Sequence, residues 1–222
     1  LTRAGCEVIT PRGQLCCGAP QDDQGDREQL RAFARQNISL FEEIGEVDVI
    51  VSDCAACSGM LKEYAELLHD DPEFASRARA FSDQIKDIFE WYDEIGLALD
   101  HGDGTTPISV TIHDACHLAN AQGIRAPQRK LLGRIQPVQI VEMQDPSACC
   151  GSAGIYNITH SEMADKRLQR KLENIQATGA GVVVTNGPGC LLQLRAAVQE
   201  RDTNVQIKHI SQLLEEVMGE ES

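Results

Sequence analysis

No apolar run in this chain of 222 residues approaches the roughly 20 residues that span a bilayer. The N-terminal stretch Leu1-Thr2-Arg3-Ala4-Gly5 carries no secretory leader pattern. It does not begin with Met, so a piece of a longer chain is expected. Basic residues are scarce: 20 Lys and Arg face 34 Asp and Glu, for a formal net charge of −14. A surface of that sign repels phosphate backbones, which excludes nucleic acid as a partner; the acidity serves solubility. Also missing are a G-x-G-x-x-G nucleotide loop, a Ser-His-Asp pattern and a paired-carboxylate constellation. The remaining composition, 42% hydrophobic and 24% charged, is ordinary for a soluble globular protein. The length allows one large or two small domains.

Cysteine is the residue in excess, with nine in the chain. Without a secretory signal, disulfides explain them poorly, because the cytosol keeps thiols reduced. Metal, cluster or redox chemistry is the better expectation. They are Cys6, Cys16, Cys17, Cys54, Cys57, Cys116, Cys149, Cys150 and Cys190.

Two clusters read Cys16-Cys17-Gly18 and Cys149-Cys150-Gly151. Shifting the chain so that Cys16 falls on Cys149 places Val49-Ile50-Val51-Ser52 on Val182-Val183-Val184-Thr185, and Cys57 on Cys190, without a gap. The chain therefore reads as an internal duplication, with copies at 1–104 and 105–222. The counterpart of Cys116 would lie ahead of Leu1, so the first copy is expected to be truncated at its N-terminal end. Cys6 maps onto Gln139 and is expected to be a buried strand residue. Cys54 maps onto Gly187, so only the first copy keeps a C-x-x-C pair.

The second copy predicts a strand at Ile108–Ile112, with Cys116 after it. A helix at Pro127–Ile135 and a strand at Val138–Val141 follow. Thr159-x-x-Glu162 reads as a capping box opening a helix with Met163, Leu168, Leu172 and Ile175 inward, ended by Gly179. Val182–Val184 is a buried parallel strand; Cys190 opens a helix with Leu191, Leu194 and Val198 inward. A strand at Val205–Ile207 and a helix at Ser211–Met218 complete it. In the first copy Asp26-x-x-Gln29 caps a helix carrying Leu30, Phe33, Ala34, Ile38 and Phe41. A strand at Val47–Ser52 and a helix from Cys54 to Leu67 follow. Pro72–Leu99 reads as helical, with Phe74, Phe81, Ile85, Phe89 and Trp91 as core candidates, and Asp100–Gly104 as linker. Alternating strands and helices predict an α/β fold of two lobes, each a small parallel sheet flanked by helices. Sites in such sheets lie beyond the carboxyl ends of the strands.

Cys116, Cys149, Cys150 and Cys190 can converge there and match the four thiolates that hold an iron–sulfur cluster. Cys16, Cys17, Cys54 and Cys57 form the candidate set of the first copy. Helix starts near Cys54 and Cys190 favour thiolates and an anionic cluster, and Gly18, Gly151, Gly187 and Gly189 let the backbone come close. Zinc is the alternative, though only Cys54-x-x-Cys57 has the usual short spacing. A redox-active pair at Cys16-Cys17 or Cys149-Cys150 is a third reading. His113 and His117 are expected to be polar residues at a strand end, and Asp53 and Asp114 local caps.

The motifs His113-Asp114-Ala115-Cys116-His117-Leu118, Cys149-Cys150-Gly151-Ser152-Ala153-Gly154 and Thr185-Asn186-Gly187-Pro188-Gly189-Cys190 resemble the cysteine-rich CCG domain family. Nearly the whole chain shares the resemblance, which is nearest to the glycolate oxidase branch. Heterodisulfide reductases and the iron–sulfur proteins of lactate and glycerol-3-phosphate dehydrogenases carry the same duplicated pattern. The resemblance implies an electron-transfer subunit with an iron–sulfur cluster, expected to be of the 4Fe–4S type, and no catalytic residue of its own. Its implied partners are an FAD-binding glycolate oxidase subunit, a ferredoxin-like domain not found in this sequence, and quinone as acceptor. The implied location is cytoplasmic or peripheral at the inner face of the plasma membrane. A zinc-binding module without catalytic role is the competing expectation.

Overall fold

The computed structural model of the chain describes residues 1–97, 107–136, 138–201 and 203–218. They separate into two compact units, Leu1–Trp91 and Tyr92–Ser222. The expected linker Asp100–Gly104 and the boundary at its end lie outside the described residues.

In the first unit, the helix Arg27–Ile44 begins where the sequence places it. The Asp26 carboxylate accepts a hydrogen bond from the Gln29 N–H, 3.1 Å, satisfying one of the orphan donors of the first turn. Leu30, Ala34 and Ile38 recur every four residues and bury one face. That face packs into a core with Met60, Tyr64, Leu68, Phe74 and Phe81. Strand β1 (Ile50–Ser52) pairs in parallel with β2 (Ile85–Asp87), Ile50 opposite Ile85.

Strand β2 corrects the helical reading of Pro72–Leu99. The helix Ala75–Asp83 stops, the chain runs extended through Ile85–Asp87, and a new helix begins at Ile88. One apolar residue, Ile85, fits either period; pairing with β1 supplies the backbone bonds that decide it. The helix expected over Cys54–Leu67 is also split, into Ala55–Lys62 and Tyr64–Leu67. Cys6 is neither in a strand nor fully buried. The second unit's β4 has a strand to pair with; among the described residues, those around Cys6 pair with none.

The second unit holds β3 (Ile108–Ile112), β4 (Val138–Ile140), β5 (Val182–Thr185) and β6 (Gln206–His209). They form one parallel sheet in the order β4-β3-β5-β6. All four residues of β5 are buried, as its unbroken valine run requires of a strand covered on both faces. Val183, Leu194, Leu172, Ile175 and Ile207 pack around Cys150. Gly179, at φ 67°, closes the helix Ser161–Thr178 as expected. Its start differs from expectation: His160 is the cap, and the Thr159 hydroxyl is turned to the carbonyls of Ile155 and Tyr156. Those carbonyls, freed at the end of the preceding short helix, outcompete the N–H groups ahead of it. Met163 consequently faces solvent and is 46% exposed.

The chain is thus α/β, built of two lobes with small parallel sheets flanked by helices. Among the described residues, no helix is long and apolar enough to cross a membrane.

Candidate metal centre

In the second unit the chain leaves β3 to one side for β4, then returns on the other side for β5. The carboxyl ends of β3 and β5 therefore flank the point where the connections reverse, the place where open parallel sheets form their sites. Cys116 stands four residues past β3. Cys190 lies in the first turn of the helix Pro188–Glu200, which follows β5 directly. The Cys149-Cys150 pair arrives from the loop between β4 and the helix Ser161–Thr178.

Neighbouring sulfurs of the set act on one another in sequence, Cys116 with Cys149, Cys149 with Cys150 and Cys150 with Cys190, and those of Cys150 and Cys190 lie within 4.8 Å of each other. Bonds from Cys116 and Cys150 hold the Cys149 thiol far below its usual range. Cys116 is held up, first by its bond to Cys149 and then by burial. Cys150 is raised by its bonds to Cys149 and Cys190, and Cys190 is lowered chiefly by the bond from Cys150. Adjacent thiols that interact in this way share protons because they cannot all ionise beside one another. A cationic centre that replaces those protons neutralises all four. The donor set therefore fits a thiolate-bound metal group.

The first unit repeats the arrangement with Cys16, Cys17, Cys57 and Cys54. Cys54 caps the helix Ala55–Lys62, its sulfur accepting from the Cys57 N–H at 3.4 Å. A bond from Cys57 is the main reason the Cys17 thiol falls to about 6, and Cys57 is raised by its bonds to Cys17 and Cys54. Tyr64 and Asn37, both buried, pin this turn: the tyrosine hydroxyl donates to the Cys17 carbonyl (2.8 Å) and the Asn37 amide to the Cys16 carbonyl (3.2 Å).

Both Cys-Cys-Gly turns have one geometry. The Gly18 N–H donates to the Cys16 sulfur at 3.5 Å, the Gly151 N–H to the Cys149 sulfur at 3.3 Å. Both glycines are left-handed, φ 90° and 92°, which other residues reach only with strain. A side chain would also collide: a Cβ at Gly151 would lie 2.4 Å from the Ala164 carbonyl oxygen, and one at Gly18 2.3 Å from Leu30 Cδ1. The third letter of the motif is thus set by the turn and by the helix packed behind it.

Three neighbours depart from the sequence reading. His113 is not a polar strand-end residue but 1% exposed. Its backbone N–H donates to the Val184 carbonyl, extending the β3–β5 pairing. A ring nitrogen lies within 4.8 Å of the sulfurs of Cys150 and Cys190, and the ring is one of the smaller influences holding Cys190 down. Neither ring nitrogen makes a hydrogen bond of ordinary geometry. Asp114, read as a local cap, forms a two-pronged pair with Arg129, which also grips Glu142. Lys171, on the helix after the Cys-Cys turn, is 1% exposed and donates to the carbonyls of Asp145 and Pro146. Its ammonium ties down the loop that delivers Cys149. Periodicity gave no hint of Lys171, because an inward position is normally apolar. His113 continues the Ser109–Thr111 side of β3's alternation, so periodicity gave no hint of it either.

Known proteins resemble this chain over most of its length. The family model described as "Cysteine-rich domain" (CCG) matches residues 1–62 and 110–195. The chain is 37% identical, over 99% of its length, to the "Probable glycolate oxidase iron-sulfur subunit" of Bacillus subtilis, and spans 50% of that protein. It is 28% identical to "Lactate utilization protein A" of Bacillus subtilis, with 96% of this chain and 88% of that protein covered. The Bacillus velezensis protein of the same name is 27% identical over the same shares.

Proposed function

The chain belongs to the cysteine-rich CCG domain family, and from that premise we propose that it is the electron-relaying, iron–sulfur part of an enzyme system that oxidises a small 2-hydroxy acid. The observation that carries this is the gathering of Cys116, Cys149, Cys150 and Cys190 at one switch point of a parallel sheet. These four would be the cluster's thiolate donors, with Cys16, Cys17, Cys54 and Cys57 as a second set.

An iron–sulfur cluster, of the 4Fe–4S type in this proposal, supplies reversible one-electron storage when bound. The chain's own residues do the rest. Gly151 donates to the Cys149 sulfur, which steadies it as a thiolate. The helix Pro188–Glu200 presents its N-terminal end to Cys190, adding partial positive charge where donors are anionic. The Asp114–Arg129–Glu142 pairing fixes the loop leading into Cys116. Substrate oxidation is assigned to a separate FAD-binding subunit. Electrons would leave toward quinone, which would bring the protein to the inner face of the plasma membrane.

The name of the relative at 37% identity favours glycolate as the acid. A lactate system is the second reading, favoured by the 88% of lactate utilization protein A that the chain spans. Zinc has no such support in the relatives' names. The test is anaerobic purification with iron and acid-labile sulfide assays. Iron and sulfide in similar amounts, with a broad visible band that bleaches on dithionite, support the proposal. A colourless protein containing zinc overturns it.

A further inference from the structure

The two cysteine sets differ at two positions: the first unit has no counterpart of Cys116, and the second has none of Cys54. Where the first unit has Cys54, the second has Gly187, and a Cβ there would sit 3.2 Å from both the Ala115 Cβ and the Cys190 sulfur. Glycine offers no side-chain donor there, and a larger residue would press on both neighbours. On β3's extension, His113 turns a ring into the same cluster of donors, within 4.8 Å of the Cys150 and Cys190 sulfurs. The ring is 1% exposed, and both its nitrogens lack hydrogen-bond partners. Burying an imidazole with neither nitrogen satisfied is costly. A metal bond to one nitrogen removes part of that cost.

We propose that His113 is a direct iron ligand of the second-unit centre, a neutral donor beside its four cysteines. This rests on the iron–sulfur reading above. Imidazole is neutral, so it adds a donor to the four cysteines without adding negative charge.

The test uses the iron-loaded chain with ¹⁵N-labelled histidine, poised in a paramagnetic state, and electron–nuclear double resonance. A nitrogen coupling of directly coordinated size is expected. It should vanish in His113→Cys, which should keep its iron and shift to a lower potential, and persist in His117→Ala. His113→Ala should lose several-fold of the second centre's iron. A coupling of only hydrogen-bond size, or one that survives His113→Cys, overturns the ligand assignment while leaving the iron–sulfur function standing. If His113→Cys also loses its iron, an unlabelled-versus-labelled comparison of the native chain still decides the point. A chain that takes up no iron overturns both.

Discussion

Asp87 is fully buried, where its carboxylate accepts from the Ser58 hydroxyl and the Phe89 N–H. Burial outweighs these bonds, and nearby Glu90 adds to it against Lys62, so its pKa rises to about 6. The folded state then binds this proton more tightly than the unfolded chain. Stability falls as pH rises from the ordinary carboxylate range through about 6. Asp87→Asn should flatten that slope and raise stability at pH 7 by up to about 3 kcal/mol, less what its altered bond to Ser58 costs. Urea midpoints between pH 4 and 8 check it; a mutant midpoint that tracks the native one across this range refutes it. Among the thiols, Cys116→Ser should remove much of the bound iron, because its sulfur bonds Cys149. Cys6→Ser should change iron content little. Equal loss from both, by iron assay, would sink the ligand assignment. The repeat aligned the two Cys-Cys-Gly turns, and Cys57 with Cys190, in the sequence. His113 and Lys171 were not legible there: what makes them unusual is burial among sulfurs and carbonyls, which spacing does not encode.

At the scale of elements, strands and helices of the second unit were readable because each apolar run there has one consistent period. Strand β2 was hidden, since three residues with a single apolar side chain carry no period, and only pairing with β1 makes them a strand. Thr159 misled for the opposite reason: a correct capping motif lost to carbonyls of the turn before it. The two Cys-Cys-Gly turns offer a graded test. At Gly151 an added methyl meets backbone, the Ala164 carbonyl, whereas at Gly18 it meets the end of the Leu30 side chain, which can rotate away. Gly151→Ala should therefore cost more than Gly18→Ala, by roughly 2 kcal/mol or more beyond the shared left-handed strain of about 1–2. Thermal denaturation of the two variants compares them, and a Gly18→Ala loss equal to or larger than that of Gly151→Ala would refute the packing argument.

For the whole molecule, the iron–sulfur proposal assigns substrate chemistry elsewhere. The chain by itself should reduce no dye with glycolate or lactate, and activity should appear only when a flavoprotein partner is added; dye reduction by the pure chain would contradict this. The sheet order β4-β3-β5-β6 has a further consequence, in time rather than in space. The donors at its switch point come from both ends of the second unit's sequence, and β5 must dock beside β3 before Cys190 can join Cys116. On the ribosome, a chain that has emerged only as far as Cys150 holds three of its thiols without the strand that gathers them. Metal delivery must then wait for long-range pairing, the slow class of folding event, and a nascent chain stalled before residue 190 exposes reactive thiols with no centre to occupy them.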